Sequence, residues 1–457
     1  MSGAHLATRP VPGVPRGYEF PPFERVRLSN GVEVRTVHLP GRPLVSAAVV
    51  VRRGVADEPA DLAGVSSLAA RALAEGTERY DAIALVEAAE RLGAELHAAA
   101  GWDAATAGVE VPGSRLGPAL ELLAEMVLRP TFPVAEVERL RDQRLNEILQ
   151  AYADPRRRAE IAFDEAIYTG DSPYRRMLGG SRGTVTRLDR DALCAQHGSW
   201  LDPERTTIIV GGDLFGIDVR GLLEPLFGGI PSGQGAAPGA VVAASAVDRR
   251  IVRLHDRPGS VQTEVRIGHV GLPRLIPDFH AVSLMSAILG GLFSSRLNMR
   301  LREEKGYTYG AHAGFDLRRE AGPFGARAAV ETDVTVPAIE DTLAELERMR
   351  ETDVTDAELR AAKDYLIGVF PLRFETPGPV VSALAGLAIQ GLPDDELARY
   401  RPGIEAVSAA DVRRAAVEHL HLDRTAIVLV GDADAIGVGV EAAGFGDVEI
   451  VRDPPPA

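Results

Sequence analysis

The feature that most constrains this chain is an internal repeat of domain length. Residues 205–213 read RTTIIVGGD and residues 424–432 read RTAIVLVGD, an offset of 219. In a second pair, AEVERLRDQRLNEIL begins at Ala135 and AELRAAKDYLIGVF begins at Ala357, an offset of 222. The first pair is typical of a buried strand followed by a turn, and the second of an amphipathic helix. Solenoid repeats have periods of about 20–50 residues, so these longer offsets predict two homologous domains in tandem.

The repeat and the composition of the connecting segments together predict the domain boundaries. In the first half, Asn30-Gly31 indicates a hairpin over Arg25–Val37, and Leu44–Arg52 is predicted to be a strand. Apolar helices such as Leu116–Val127 follow, so we expect an α+β fold with a mixed sheet and helices packed on one face. The predicted units are a Pro-rich N-terminal arm (1–23), a first domain (24–227), a Gly/Ala/Pro linker (228–246), a second domain (247–452) and a short tail (453–457).

Charge and cysteine content exclude several classes of function. The formal net charge is -15, whereas a nucleic-acid-binding protein needs a basic surface and an anionic membrane would repel this chain. Cys194 is the single cysteine, so no disulfide within the chain can form. The N-terminus lacks the basic and apolar regions of a signal peptide, and no apolar run reaches membrane-spanning length. We therefore expect a cytoplasmic protein that binds neither nucleic acid nor membrane.

Residues 64–77, GVSSLAARALAEGT, form the segment that links the chain to a known family. It resembles the helix of M16 metallopeptidases, the pitrilysin and processing-peptidase family, in which His-x-x-Glu-His precedes a Gly-Thr pair. Two histidines at i and i+4 share a helix face and can bind one zinc ion, while the glutamate acts as a base. Aligned on Gly64 and Gly76-Thr77, the ligand positions hold Ser67 and Arg71, and the glutamate position holds Ala70.

These substitutions predict that the chain itself binds no catalytic zinc. Serine is a poor zinc ligand, alanine cannot act as a base, and Arg71 brings a fixed positive charge to the position of a dication. The resemblance places the family's third ligand at Glu147, which is then either a remnant without a metal or an ordinary helix carboxylate. His419 and His421 diverge on a helix and are expected to be structural.

A second motif, LGGLFSSRLNMRLREEKGYTYG, occupies residues 289–310. Its pattern predicts a helix over Ser295–Lys305, a left-handed cap at Gly306 and a strand from Tyr307 to Phe315. The block resembles the second hallmark of the M16 family, an arginine and a tyrosine seven residues apart, here Arg302 and Tyr309. In the family these side chains reach across a cavity, hold the substrate backbone and stabilise the tetrahedral intermediate. Tyr307 is the competing tyrosine, because alternation along a strand would put it on the same face as Tyr309.

The resemblance covers residues 24 to 450 and departs from the family pattern mainly at the zinc helix. It implies two tandem α/β-roll domains of the LuxS and processing-peptidase-like metallohydrolase fold, forming half of a clamshell. It further implies a non-catalytic subunit of a heterodimeric zinc peptidase: a homologous partner supplies zinc, and this chain supplies Arg302 and Tyr309 in trans for hydrolysis of unfolded or leader peptides. A strand edge near Gly101–Val111 is expected to hold the peptide. The alternative is a non-enzymatic M16-like structural or peptide-binding protein.

Overall fold

The computed structural model describes residue 13, residues 17–231 and residues 241–452. The predicted tail, most of the predicted N-terminal arm and the middle of the predicted linker therefore lie outside the described residues. The described part of the arm packs on the second half, where the rings of Tyr18 and Phe374 stack with centroids 6.3 Å apart. Over the described residues, none of the helices combines the length and the apolarity needed to cross a bilayer.

Each half of the chain builds one six-stranded mixed sheet. The order of the first sheet is β1-β2-β6-β3-β5-β4, and the order of the second is β12-β7-β11-β8-β10-β9. The strands of the first sheet are β1 (Glu24–Arg27), β2 (Glu33–His38), β3 (Leu44–Val51), β4 (Glu95–Ala100), β5 (Ala105–Pro112) and β6 (Thr206–Gly212). The strands of the second are β7 (Ile251–Asp256), β8 (Gln262–Val270), β9 (Ala311–Phe315), β10 (Pro323–Glu331), β11 (Ala426–Gly431) and β12 (Asp447–Val451).

The two sheets share a pairing pattern, which confirms that the halves repeat one fold. The repeated strands β6 and β11 each pair in parallel with one neighbour, β2 or β7, and antiparallel with the other, β3 or β8. The outermost strands differ: β1 comes before β2 and pairs antiparallel in the predicted hairpin, whereas β12 is the last strand and pairs parallel with β7.

The α-helices connect and cover these sheets. They are α1 (Val65–Ala72), α2 (Ala82–Leu92), α3 (Leu116–Leu128), α4 (Val134–Ala153), α5 (Pro155–Ile167), α6 (Arg182–Val185), α7 (Arg190–Gly198), α8 (Val219–Phe227), α9 (Phe279–Ser286), α10 (Thr335–Glu351), α11 (Asp356–Val369), α12 (Pro377–Gln390), α13 (Glu396–Ala406), α14 (Ala409–His419) and α15 (Ala433–Ala442). The second repeat pair falls on α4 and α11, each followed by one further helix, α5 or α12.

Both faces of each central strand are buried, but against different halves of the chain. In β6, Ile208 and Val210 join the core of the first half, while Ile209 between them points to the other face and packs with Val381 and Leu384 of α12. In the second sheet, Val428 of β11 packs in the same way with α5 of the first half. Each half therefore places one helix on the sheet of the other, in addition to the predicted layer of helices on the first face.

Candidate functional site

Helix α1 begins at a close contact between two glycine segments. Gly64 has φ +99° and lies so near Gly179 that an added Cβ would be 2.7 Å from its carbonyl oxygen. The buried carboxylate of Glu58 accepts hydrogen bonds from the backbone N–H groups of Gly64 at 2.7 Å and Ser66 at 3.0 Å. A carboxylate at this position satisfies free N–H groups and complements the helix dipole. The segment that would carry a zinc site is thus held in a defined position although the ligands differ.

The three motif positions on α1 do not share one environment. Ala70 is buried in the core of the first half, Ser67 is half-buried and the Arg71 side chain is 39% exposed. The Arg71 guanidinium donates a hydrogen bond of 2.8 Å to the carboxylate of Glu147 on α4. The structure therefore brings together the positions of the second and third family ligands, as the alignment predicts, but joins them as an ion pair.

Glu147 lies in a ring of donors. Besides Arg71, it accepts hydrogen bonds from Arg144 at 3.1 Å and from the amide of Gln143 at 3.2 Å. Burial acts to raise the pKa of Glu147, but the hydrogen bonds and charges of Arg71 and Arg144 outweigh it and lower the pKa below its ordinary value. The carboxylate is thus stabilised in its charged form by protein cations, a partnership that the sequence analysis did not foresee.

A zinc ion does not fit this arrangement. The charge and hydrogen bonds of Glu147 are already satisfied by Arg71 and Arg144, and neither Ser67 nor Ala70 offers a suitable ligand. Among the described residues, one group of three side chains lies close enough together to share a metal, Asp278, Glu418 and His419 in the second half. There His419 Nε2 lies 2.7 Å from Asp278 Oδ2.

The second motif contains two segments of π-helix, Ala287–Gly291 and Asn298–Glu304. The helix predicted over Ser295–Lys305 is present over residues 296–304, but from Asn298 to Glu304 its turns are π-helical. The Asn298 side chain explains part of the local geometry, because its amide donates to the Leu292 carbonyl at 3.1 Å and its oxygen accepts from Ala311 N–H at 2.9 Å. π-Helical turns are rare and occur often at functional sites.

Arg302 and Tyr309 lie on either side of the cap at Gly306, which has the predicted left-handed conformation with φ +66°. The Arg302 guanidinium lies 4.7 Å from the ring centroid of Phe293, and its Nε is 3.4 Å from Glu303. Tyr309 is 93% exposed. The cation therefore rests on an exposed aromatic ring, and the phenol is open to a partner or a ligand.

The competing tyrosine differs from Tyr309 in burial. Strand β9 begins at Ala311, so the prediction of a strand starting at Tyr307 is wrong and strand alternation does not apply. Instead, Thr308 Oγ1 bonds both the N–H and the carbonyl of Gly310 at 3.2 and 3.0 Å, which forms a tight loop before the strand. Tyr307 packs against the core of the second half, while Tyr309 projects from it.

Phe293 was not identified from the sequence. It is 67% exposed despite its apolar ring and lies in the GLFSSR segment that leads into the motif. The available signal was a large aromatic residue in a loop rich in Gly and Ser, where an exposed apolar side chain is more often functional than part of a core.

A cavity of about 490 Å³ opens beside the second motif and is lined by Gly290, Gly291 and His312. Asp164 of α5 also lines it, so residues of both halves form the cavity wall. Burial raises the pKa of Asp164 to about 7, an effect that Arg318 opposes and the carboxylates of Asp316 and Glu160 reinforce. This carboxyl group therefore changes charge near neutral pH.

The expected strand edge is shifted by one strand. Residues 105–112 form β5, which is paired on both sides, by β3 and by β4. The outer strand on this side of the first sheet is β4, Glu95–Ala100. Its outer edge pairs with no strand among the described residues and is available for a further strand. The equivalent outer strand of the second sheet is β9, which follows the Arg302 and Tyr309 motif.

Two profiles of one peptidase family match the chain. A family profile described as "Insulinase (Peptidase family M16)" matches residues 33–179, which include the degenerate zinc positions. A second, described as "Peptidase M16 inactive domain", matches residues 187–366, which include Arg302 and Tyr309. Together the two profiles cover well over half of the chain.

Individual relatives resemble the chain along most of its length. An uncharacterized zinc protease of Mycobacterium leprae is 28% identical, over 79% of this chain and 81% of the relative. The crystal structure of a peptidase M16 inactive domain from Pseudomonas fluorescens is 25% identical with a TM-score of 0.84, and the match covers 90% of this chain and 98% of that one. A protease from Helicobacter pylori, 20% identical over 91% of this chain and 100% of that one, has the same fold with a TM-score of 0.84.

Proposed function

Since this chain belongs to the M16 peptidase family, we propose that it is the non-catalytic subunit of a heterodimeric zinc peptidase. Its partner is a homologous chain that carries the intact zinc motif and the general base. Its own contribution is to bind an extended peptide and to present Arg302 and Tyr309 to the partner's site. The substrate class is an unfolded peptide or leader segment.

One contrast between the two motifs carries the proposal. At the first motif, Arg71 bonds Glu147 at 2.8 Å, so the metal position is filled by a protein cation. At the second motif, Arg302 and Tyr309 keep the family spacing, and the phenol is 93% exposed. The second motif therefore offers donors at the family spacing, whereas the first offers no set of metal ligands.

The chemistry of these two side chains suits a carbonyl that is gaining negative charge. A guanidinium and a phenol both donate hydrogen bonds to carbonyl oxygen, and they stabilise an oxyanion more strongly than the neutral carbonyl. The ring of Phe293 lies under the Arg302 guanidinium, and Glu303 is the one described carboxylate that pairs with it, 3.4 Å from Nε. The terminal nitrogens of Arg302 can therefore donate to a ligand. The free edge of β4 supplies backbone groups that can hold an extended peptide.

The experiment is a reconstituted peptidase assay. The chain is co-purified with the zinc-bearing homologue from the same organism and tested on an unstructured peptide. We expect Arg302→Ala and Tyr309→Phe each to lower kcat about 10²–10³-fold with a smaller change in KM, because their hydrogen bonds strengthen in the transition state. Tyr365→Phe, at a tyrosine that is 51% exposed in the same half, is the matched control and should leave kcat unchanged.

Unchanged turnover in both variants would contradict the proposal that the residues act in trans. A fall in activity equal to that of Tyr365→Phe would indicate only a general effect of losing a hydroxyl group. Zinc content measured on the separate chains shows which chain binds the metal. We expect one zinc ion per partner chain.

A second candidate function is a non-enzymatic M16-like protein that binds peptides or stabilises an assembly. The description "Peptidase M16 inactive domain", shared by a matching family profile and the structure from Pseudomonas fluorescens, favours it. Under this alternative the chain forms a stable species that binds peptides without a zinc-bearing partner, and no combination of chains shows turnover that depends on Arg302.

A further inference from the structure

A cavity of about 940 Å³ lies between the two halves of the chain, apart from both motifs. Helices α4 and α5 and the segment around α6 line it from the first half, and β7 and β12 line it from the second. Ile148, Leu149 and Val451 give it apolar walls. Its volume lies in the range of roughly 300–1,000 Å³ typical of ligand-binding pockets.

The charge of this cavity is opposite to that of the whole chain. Five arginines line it but only two glutamates, in a protein whose formal net charge is -15. Both glutamates are already paired, Glu449 with Arg253 at 3.1 Å and Glu165 with Arg158 at 3.4 Å. The cavity therefore keeps an excess of positive charge after its internal ion pairs are formed.

The remaining cations are Arg175, Arg182 and Arg187. Arg175 donates to the backbone carbonyl of Glu165 at 3.2 Å, and Arg187 donates to that of Asp61 at 2.9 Å. Within the part of the chain that the structure describes, no carboxylate forms an ion pair with any of the three. Cations on the wall of one cavity without a carboxylate partner make its electrostatic potential positive, so an anion that bound there would be stabilised.

We propose that this cavity binds the carboxylate of a peptide that has an apolar residue beside it. A guanidinium group matches a carboxylate with two parallel hydrogen bonds, and the apolar walls accept the neighbouring side chain. The carboxylate comes either from an acidic side chain or from the C-terminus of the peptide. The peptide nature of the ligand rests on the proposed function, whereas the preference for an anion rests on the cavity itself.

The test measures binding to the complete chain without any zinc-bearing partner. The probe is the peptide Gly-Ser-Leu-Glu-Leu with a neutral dye at its N-terminus, and the readout is fluorescence anisotropy. We expect the probe to bind, with an affinity that falls as the salt concentration rises. Replacing glutamate by glutamine, or amidating the C-terminus, identifies the source of the carboxylate, and the relevant change should weaken binding about tenfold or more.

The double variant Arg182→Gln/Arg187→Gln should also weaken binding about tenfold or more, because each loses a charge-assisted donor. Its matched control is Arg157→Gln/Arg360→Gln, which removes two exposed arginines outside the cavity. The inference is overturned if the acidic, glutamine and amidated probes bind with equal affinity. It is also overturned if both double variants lose the same amount of affinity. Failure of the peptidase assay with intact binding here rejects the proposed function alone, because this measurement involves no catalysis.

Discussion

At the scale of single residues, the first motif contains an ion pair between Arg71 and Glu147, where the resemblance to the family predicts two zinc ligands. The guanidinium lies 2.8 Å from the carboxylate and replaces the positive charge that a metal would bring. Glu147, where the resemblance places the family's third ligand, has its charge balanced by protein cations, Arg71 and Arg144.

Restoring two histidines should therefore restore metal binding. In Ser67→His/Arg71→His, two imidazoles lie at i and i+4 on α1 and face Glu147, which is already positioned and is freed from Arg71. We expect about one zinc ion per chain by elemental analysis, and no peptidase activity because Ala70 leaves the base absent. The His419→Gln change is included in every sample, so that the group around Asp278 does not contribute metal.

Adding Glu147→Gln to the same variant is the control for the third ligand. This change should lower zinc affinity by at least an order of magnitude, since an amide oxygen is a weaker ligand than a carboxylate. Zinc bound equally with and without the Glu147 carboxylate would mean that α1 and α4 do not form the family's metal geometry.

Asp164 gives the molecule a dependence of stability on pH. Its folded-state pKa is raised from 3.8 to about 7, chiefly by burial. Between these two values the folded state holds a proton that the unfolded state has lost, so stability is greatest below the unfolded pKa and falls as pH rises towards 7. Asn does not titrate, so the Asp164→Asn variant should not lose this stability as the pH rises. The measurement is the free energy of unfolding of the variant minus that of the wild type, from urea denaturation. We expect this difference to be on the order of 2 kcal/mol larger at pH 8 than at pH 5.

Asp171→Asn, at an exposed position, controls for the loss of a negative charge. The same difference between pH 5 and pH 8 in both variants would exclude Asp164 as its source.

At the scale of elements, the exchanged helices α5 and α12 depend on glycines in the sheets beneath them. A Cβ added to Gly268 of β8 would lie 2.0 Å from the Phe324 carbonyl oxygen and 2.8 Å from Cζ of Phe163 on α5. We expect Gly268→Ala to lower the free energy of unfolding by about 1–3 kcal/mol, because both the β10 backbone at Phe324 and the Phe163 ring on α5 must move. The measurement is chemical denaturation followed by circular dichroism.

Gly368→Ala is the matched control, since a Cβ at that position in α11 meets nothing within 4 Å. It should raise stability by roughly 0.5–1 kcal/mol through its better helix propensity. Equal destabilisation by the two substitutions would show that the close contacts at Gly268 are not the cause.

The sequence predicted the elements of the fold better than their partners. Ile208-Ile209-Val210 was identified as a buried strand because the run is apolar without interruption, which indicates burial on both faces. The helix that covers the second face of this strand was not predictable. Helix α12 lies far along the chain, and its apolar pattern does not indicate which element it packs against. The resemblance placed Arg71 and Glu147 at one site but did not predict their ion pair, because the family pattern describes metal ligands and local periodicity reports no contact between distant segments. The π-helical form of the second motif depends on the bonds of Asn298 to Leu292 and Ala311, which propensity does not report.

At the scale of the whole molecule, the exchange of helices makes each half depend on the other. Without α12, the face of the first sheet that carries Val37, Val50 and Ile209 would be exposed to water. Polar contacts join the halves as well: Arg319 of the second half pairs with the buried Asp57 at 2.9 Å, and its backbone N–H donates to Asp103 at 2.9 Å. Two independently stable domains would need neither arrangement, so the halves form one folding unit built from two copies of one fold.

Dividing the chain tests this dependence. Residues 1–231 and 241–457, expressed separately, should aggregate because each exposes an apolar sheet face, whereas the co-expressed fragments should co-purify as one species with the circular dichroism of the intact chain. Val381→Asp in the second fragment should abolish the association, because this side chain is 2% exposed and packs on the first sheet. Val438→Asp, at a valine that is 79% exposed on α15, should leave it intact. Two fragments that each stay monomeric and folded alone would mean that α5 and α12 add contacts to domains that are already stable.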